Sequence, residues 1–215
     1  MSVVIALGSV ACKVARNFSQ YPQYKVYSYD VSDNQYVNYK QIPNCMSHEN
    51  YERCKFKFDI RTRDKDVIFI VCGAGKSSGL CLRMLEKLKN KNIDILYIKA
   101  DVDILSERAQ MRERLTNQVL QQYSRSGLLR SITMIDNLSV SQIVGDVPVA
   151  DYWDVINQTI VSTYHMINVF KNSHSDLSTF SDLPETARIN TIGIVLENED
   201  KLFYPLLMPR EKLYY

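Results

Sequence analysis

The sequence predicts an α/β fold: a mostly parallel, Rossmann-like sheet with helices on both faces and a C-terminal β-hairpin. Three observations carry this. The uninterrupted apolar run at residues 67–72 has the pattern of a strand buried on both faces, and residues 2–7 and 94–99 also read as strands. Segments with apolar residues at helical spacing lie between them, as at Leu80, Leu82, Met84, Leu85 and Leu88. Glycine-bearing loops follow the first run and the run at 67–72, the places where such folds hold ligands.

Taken in order, residues 2–7 (Ser-Val-Val-Ile-Ala-Leu) read as a strand, Ser9–Ser19 as a helix and Lys25–Asp30 as a second strand. The polar stretch from Val31 to about Asp66 is expected to hold one helix near 48–63. Strand 67–72, helix 79–90, strand 94–99, a long helix at about 104–124, strand 131–136 and a long helix at about 151–171 complete the alternation. Thr191–Leu196 and Lys201–Leu207 flank Glu197-Asn-Glu-Asp200 and read as a hairpin, with Pro205 suited to an edge strand. The expected division is one nucleotide-binding-type domain over 1–190, with 191–215 as hairpin and tail.

The 215 residues suffice for one sizeable core. With 46% apolar and 23% charged residues the composition is that of an ordinary globular protein. A net charge of +2 supplies no electrostatic reason to expect nucleic acid or an anionic membrane. No apolar run approaches the roughly 18–20 residues that span a bilayer. The first residues lack a basic region before the apolar run, so they read as a strand and not as a signal peptide. Five cysteines without a C-x-x-C pair, and three scattered histidines, give no zinc spacing and suit reduced thiols. No metal site is expected from these residues. A cytoplasmic protein is the simplest reading. Abundant Asn, Lys, Ile and Tyr beside only 7 Gly suggest an AT-rich genome such as a phage, which would place it in a host cytoplasm.

The loop Gly73-Ala-Gly75-Lys76-Ser77-Ser78-Gly79 joins a strand to a helix, and small residues there let the backbone approach a phosphate. A plain strand-to-helix turn fits the same residues. The P-loop pattern G-x-x-x-x-G-K-(S or T) matches Gly75-Lys76-Ser77 but needs a glycine where Ile70 stands, inside the strand. Gly8 and Ser9 form the first strand-to-helix turn, as phosphate loop or as simple tight turn. Asp30 closes the second strand, where a carboxylate can accept from ribose hydroxyls or simply face solvent.

The 73–79 loop resembles the glycine-rich signature of tubulin and the bacterial division protein FtsZ, G-G-G-T-G-(T or S)-G, at four of seven positions. Lys76 stands for the family's Thr and Ser77 for its Gly. Further matches follow in the family's order. Lys99 and Arg108 fall on the Lys and Arg of K-P-F-x-F-E-G-x-x-R, with Ile104 in place of the sugar-contacting Glu. Ile135-Asp-Asn137 is similar to I-P-N. Trp153-Asp-Val-Ile-Asn157 lies without a gap on F-x-x-A-N, where the family's aromatic stacks on guanine and its Asn bonds the base edge. Trp153 and Asn157 are four apart and share a helical side; a Trp packed under a loop with Asn in solvent is the other reading. Ser178–Asp182 is similar to the synergy-loop motif N-x-D-F-A-D, with Asp182 on the second Asp and Thr179 on the first.

The resemblance implies a divergent tubulin/FtsZ-like protein with a guanine nucleotide, GTP or GDP, as cofactor. Magnesium would accompany GTP only. Binding would be weak or vestigial and hydrolysis slight, with Asp182 as the remaining catalytic acid. It also implies self-association, and residues 191–215 in place of the family's second domain. The alternative is a non-catalytic structural or assembly component, viral in origin, that uses the nucleotide fold as a scaffold for another protein.

Overall fold

The computed structural model describes residues 2–60, 62–172, 188–192, 194–195 and 202–203. Strands β1 (Ser2–Leu7), β2 (Tyr24–Asp30), β3 (Tyr39–Gln41), β4 (Asp66–Val71), β5 (Asn92–Lys99), β6 (Ser131–Asp136) and β7 (Ile189–Asn190) form one sheet in the order β3-β2-β1-β4-β5-β6-β7. All six pairings are parallel. The apolar runs therefore do what their lack of alternation requires: each strand feeds two cores. Val3, Ile5 and Leu7 of β1, Val67, Phe69 and Val71 of β4, and Ile93, Ile95 and Tyr97 of β5 face one core. Val4, Ala6, Ile68, Ile70, Leu96 and Ile98 face the other.

Helices α2 (His48–Arg53), α3 (Cys81–Lys87) and α4 (Glu107–Arg125) cover the first face, and α1 (Ser9–Phe18), α5 (Asn137–Val144) and α6 (Tyr152–Asn172) the second. Ala11, Cys12, Val14, Ala15 and Phe18 give α1 its buried side, and it packs along α6. There Phe18 meets Tyr164 edge to face, and Tyr21 stacks on His165 with centroids 3.8 Å apart. At the end of the strands opposite the glycine loops, Arg130 bridges Asp94 and Asp66, tying the starts of β4, β5 and β6.

Several expectations are corrected. The helix near 48–63 stops at Arg53, because Cys54 takes an extended conformation. Beyond it, Phe56, Phe58 and Ile60 alternate with exposed residues and lie against the core, the two Phe rings edge to face with Tyr29. The helix at 79–90 is a 3₁₀ turn, Lys76–Leu80, leading into α3. The helix at 104–124 begins at Glu107, after a 3₁₀ turn at Val102–Ile104. Strand β3 and helix α5 were not expected. Asp136 caps α5 by accepting from the Leu138 N–H, and Gly145 ends it at φ +74°.

The expected strand at 191–196 is divided. β7 lies earlier and joins the parallel sheet beside β6, while β8 (Ile194–Val195) pairs antiparallel with β9 (Leu202–Phe203), as the hairpin requires. Pro205 lies outside the described residues.

Candidate functional site

The order β2-β1-β4-β5 reverses direction between β1 and β4, so the chain leaves these neighbouring strands toward opposite faces. Their C-terminal ends define the crevice where open parallel sheets bind ligands. Both glycine loops empty into it. A cavity of about 310 Å³ there is lined by Gly8, Ser9, Asp30, Gly75, Lys76 and Ser77, with Asn44 and Tyr51 on its far wall. Six residues singled out in the sequence thus share one cavity.

Each loop residue has a separate physical role. Gly8 adopts φ +88°, which an L side chain rarely does, and its N–H bonds the Tyr29 carbonyl. No side chain caps α1, whose first turn therefore presents its amides and the positive end of the helix dipole to the cavity. Gly75 lies at φ −71° with only Ser77 Oγ within 4 Å of an added Cβ, so its own geometry does not demand glycine. Gly73 and Gly79 do need to be small. A Cβ on Gly73 would sit 2.2 Å from the Tyr97 hydroxyl, and one on Gly79 would sit 2.4 Å from the His48 carbonyl oxygen. Ser78 is buried and its hydroxyl bonds the carbonyls of Gly73 (3.0 Å) and Gly75 (2.7 Å). Gly73, Ser78 and Gly79 shape the loop from within; Gly75, Lys76 and Ser77 face the cavity.

Asp30 is buried, not a surface carboxylate. Its Oδ1 accepts from the Val31 N–H at 2.8 Å and its Oδ2 from the Ser32 hydroxyl at 3.2 Å. Arg108 is exposed on the first turn of α4 and lies away from the loop cavity. One turn later Arg112 donates from Nε to the Ala74 carbonyl at 2.9 Å, so it fastens the loop where alignment had pointed to Arg108. Below the loop, Tyr97 donates to Glu113 Oε1 at 2.8 Å, and Glu113 Oε2 is buried without a partner. Burial holds the Glu113 carboxyl above its ordinary value, the Tyr97 bond only partly opposing it. Lys99 bonds Asp136 at 3.4 Å.

Trp153 and Asn157 do not line that cavity. Trp153 is 55% exposed and borders a second cleft of about 790 Å³, whereas Asn157 is buried at 5% and does not line it. The amides that do are Asn17, Gln20 and Gln158; Gln20 Nε2 donates to Gln158 Oε1 at 3.0 Å. Lys13 and Arg16 of α1 form the facing wall. Sequence reasoning missed these, although Ser9, Lys13, Arg16, Asn17 and Gln20 recur at the spacing of one helical face. That face links the two cavities: Ser9 lines the first and Lys13, one turn on, the second. Asp182 lies outside the described residues. Among the described residues, no group of three or more His, Cys, Asp or Glu could hold a metal ion. Among those residues too, no helix is long and apolar enough to cross a membrane.

Comparison with solved structures identifies the fold. CetZ2 from Haloferax volcanii, in a GTPγS-bound protofilament, superposes with TM-score 0.62 at 12% identity over 82% of this chain and 60% of that one. TubZ from Bacillus thuringiensis serovar israelensis, a GTPγS-form protofilament, gives 0.61 at 15% over 83% and 58%. FtsZ from M. jannaschii gives 0.54 at 9% over 82% and 57%. The chain thus spans about 60% of the length of the first of these. No protein-family model and no curated protein matches the sequence. The fold is that of the tubulin/FtsZ proteins, as the motif order suggested.

Two outcomes follow from the packing. Gly79→Ala is expected to cost about 1–3 kcal/mol in urea unfolding, because its Cβ meets backbone, while Gly75→Ala stays within about 0.5 kcal/mol; equal costs would contradict the division of roles. For Glu113, folding raises the carboxyl pKa, so its contribution is fully present below the ordinary value of 4.5 and is lost as pH rises through the higher folded value. Glu113→Gln keeps an acceptor for Tyr97 and carries no charge. Its stability relative to wild type should therefore rise between pH 4 and pH 8, measured by urea titration at both.

Proposed function

We propose that this protein binds a guanine nucleotide, with its phosphates at the α1 and 73–79 loops and its base against Trp153, and that it hydrolyses GTP little or not at all. The observation that carries this reading is the single exposed face of α1. It runs from Ser9, at an uncapped helix start, to Lys13 and Arg16 opposite an exposed indole. An anion is favoured at the helix start, and an exposed Trp offers a stacking surface beside amides able to donate and accept. The cradle is weaker than in the family signature. Three of its seven residues are committed to internal packing, and Lys76 can either neutralise a phosphate or lie in its place. Asp30, beside Lys76, suits a sugar hydroxyl better than a phosphate oxygen.

The CetZ2 and TubZ structures are of protofilaments, and we extend self-association to this chain on the strength of the shared fold. The nucleotide would carry magnesium only as GTP. A cytoplasmic protein, in a phage-infected host if the gene is viral, fits the reduced cysteines. The second reading, a scaffold that binds another protein, is favoured by one observation: Gly73, Ser78 and Gly79 are all explained without any ligand.

Trp153 is the single tryptophan, so its emission reports on the base. Adding GDP or GTP should quench or shift it, and ATP should do so less. Trp153→Ala should cost about 1–3 kcal/mol of binding. Gly75→Val should abolish binding with the circular dichroism unchanged, since the backbone there tolerates a side chain. No response at millimolar GTP would remove the nucleotide and leave the scaffold reading.

Turnover should sit near background. Thr179 and Ser77 stand where the family signature has an acid and an open glycine, and each such loss typically costs about 10²–10³-fold. A GTPase rate that grows with protein concentration, and disappears in Asp182→Ala but not in Asp146→Ala, would show an active head-to-tail assembly instead.

A further inference from the structure

The net charge of +2 conceals an uneven distribution. Arg53–Lys65 carries six of the chain's 26 basic residues and two of its 24 acidic ones, net +4, so the remainder of the chain is net negative. Beyond α2 this segment is extended, and its alternation sorts the charges. Phe56, Phe58 and Ile60 pack on the core that α3 also covers, while Lys55 and Lys57 between them are exposed. Arg53, Arg63 and Lys65 are exposed as well. Helix α3 runs beside the segment and is tied to it twice. Arg83 donates to the Cys54 carbonyl, and Lys91, just beyond the helix, donates to the carbonyls of Thr62 (3.1 Å) and Asp64 (2.9 Å). The end of α3 adds Lys87 and Lys89, both exposed. Lys40 of β3 steadies the row, donating to the Lys57 carbonyl at 3.3 Å with its ammonium 5.6 Å from the centre of the Phe56 ring. Among the described residues no ion pair engages any of these seven exposed cations. Of the acids nearby, Glu52 pairs with His48 at 3.3 Å and Asp64 accepts from the Thr62 hydroxyl at 3.1 Å. Like charges gathered without acids repel one another, and an anionic partner relieves that repulsion.

We propose that this basic face binds the phosphate backbone of double-helical nucleic acid without reading its sequence. What the face lacks selects the partner. Protein partners are gripped by an apolar centre with aromatic anchors, and membranes by apolar side chains inserted beside the cations. Among the described residues of Arg53–Lys65 no large apolar side chain is exposed, and on α3 only Leu82 is, at 37%. Single strands are held by stacking their bases on exposed aromatic rings, and here Phe56 and Phe58 turn inward. A duplex needs neither device. Its phosphates take Lys and Arg directly, and the release of condensed counterions drives the association. None of these cations lines either cavity, so the inference does not rest on nucleotide binding.

The test is fluorescence anisotropy of the full chain on a labelled random-sequence DNA duplex, titrated with sodium chloride. Kd should rise about 100-fold between about 50 and 200 mM salt, the dependence that some four neutralised phosphates produce. Lys55→Gln and Lys57→Gln should each lower the slope of log K against log salt by about one, and by the same amount on unrelated sequences. Both side chains are exposed, so the circular dichroism of these variants should match wild type. Lys171→Gln, on α6 across the sheet, should leave the slope unchanged. A single strand of the same sequence should bind more weakly than the duplex. Four results would overturn the proposal: no binding at the lowest salt, equal slopes for all three variants and wild type, tighter binding to the single strand, or binding to phosphatidylserine vesicles but not to the duplex.

Discussion

The close approach of the loop after β4 to the helices around it is the constraint from which the site follows. At Gly73 the backbone runs so near β5 and α4 that an added Cβ would fall 2.8 Å from Glu113 Oε2 and 3.1 Å from Thr116 Cβ. At Gly79 it passes directly under the α2 backbone. Two glycines are therefore used before any ligand is considered. What remains for a ligand is the short exposed stretch between them, Gly75 to Ser77, held out by the Ser78 hydroxyl and by Arg112 on the Ala74 carbonyl. Glycine count alone cannot separate a phosphate cradle from a packed turn. Conformation can: Gly75 is the position whose glycine is left without a reason inside the protein.

The same approach explains the buried pair beneath it. Tyr97, two residues before the end of β5, reaches α4, and Glu113 is the acceptor that its hydroxyl meets. A carboxyl confined there is pushed toward its protonated form by burial, while the phenol is pushed toward its own neutral form by burial and by Glu113. Both shifts favour the neutral forms, because a hydrogen bond between neutral groups costs less to bury than an ionised carboxylate. Cys72 is driven the same way, by burial first and Glu113 second. The floor of the loop is thus a polar pair that burial biases toward its neutral forms, and Lys76 and Asp30 line the ligand space.

How much of this was legible in the sequence depended on whether the signal was local. The run at 67–72 declared a buried parallel strand because no surface strand can be apolar on both sides, and the order of strands, helices and loops declared the crevice. Strand β3 is three residues, none of them buried, too short to read, and its place depends on β2. β7 has two residues and gains its identity only from β6. In residues 56–60 the alternation Phe-Lys-Phe-Asp-Ile was visible and was absorbed into a helix that ends before it. The cap at Asp136 was also visible, as a strand end, but its second role as start of α5 was not.

The site shows the limit of carrying motif positions over one at a time. Trp153 and Asn157 satisfy a family pattern and a helical spacing, yet they differ in what surrounds them. Residue 157 turns toward the packed interior with Ile156 and Ile160, and residue 158 turns toward α1. The amide that faces the cleft beside Trp153 is therefore Gln158, paired to Gln20, while Asn157 is buried. In the same way the basic residue that touches the loop is Arg112, not Arg108. Both shifts are small in sequence, one position and one turn, and both follow from which side of a helix the sheet buries. A motif fixes the helix that serves the site; packing decides which of its side chains reach it.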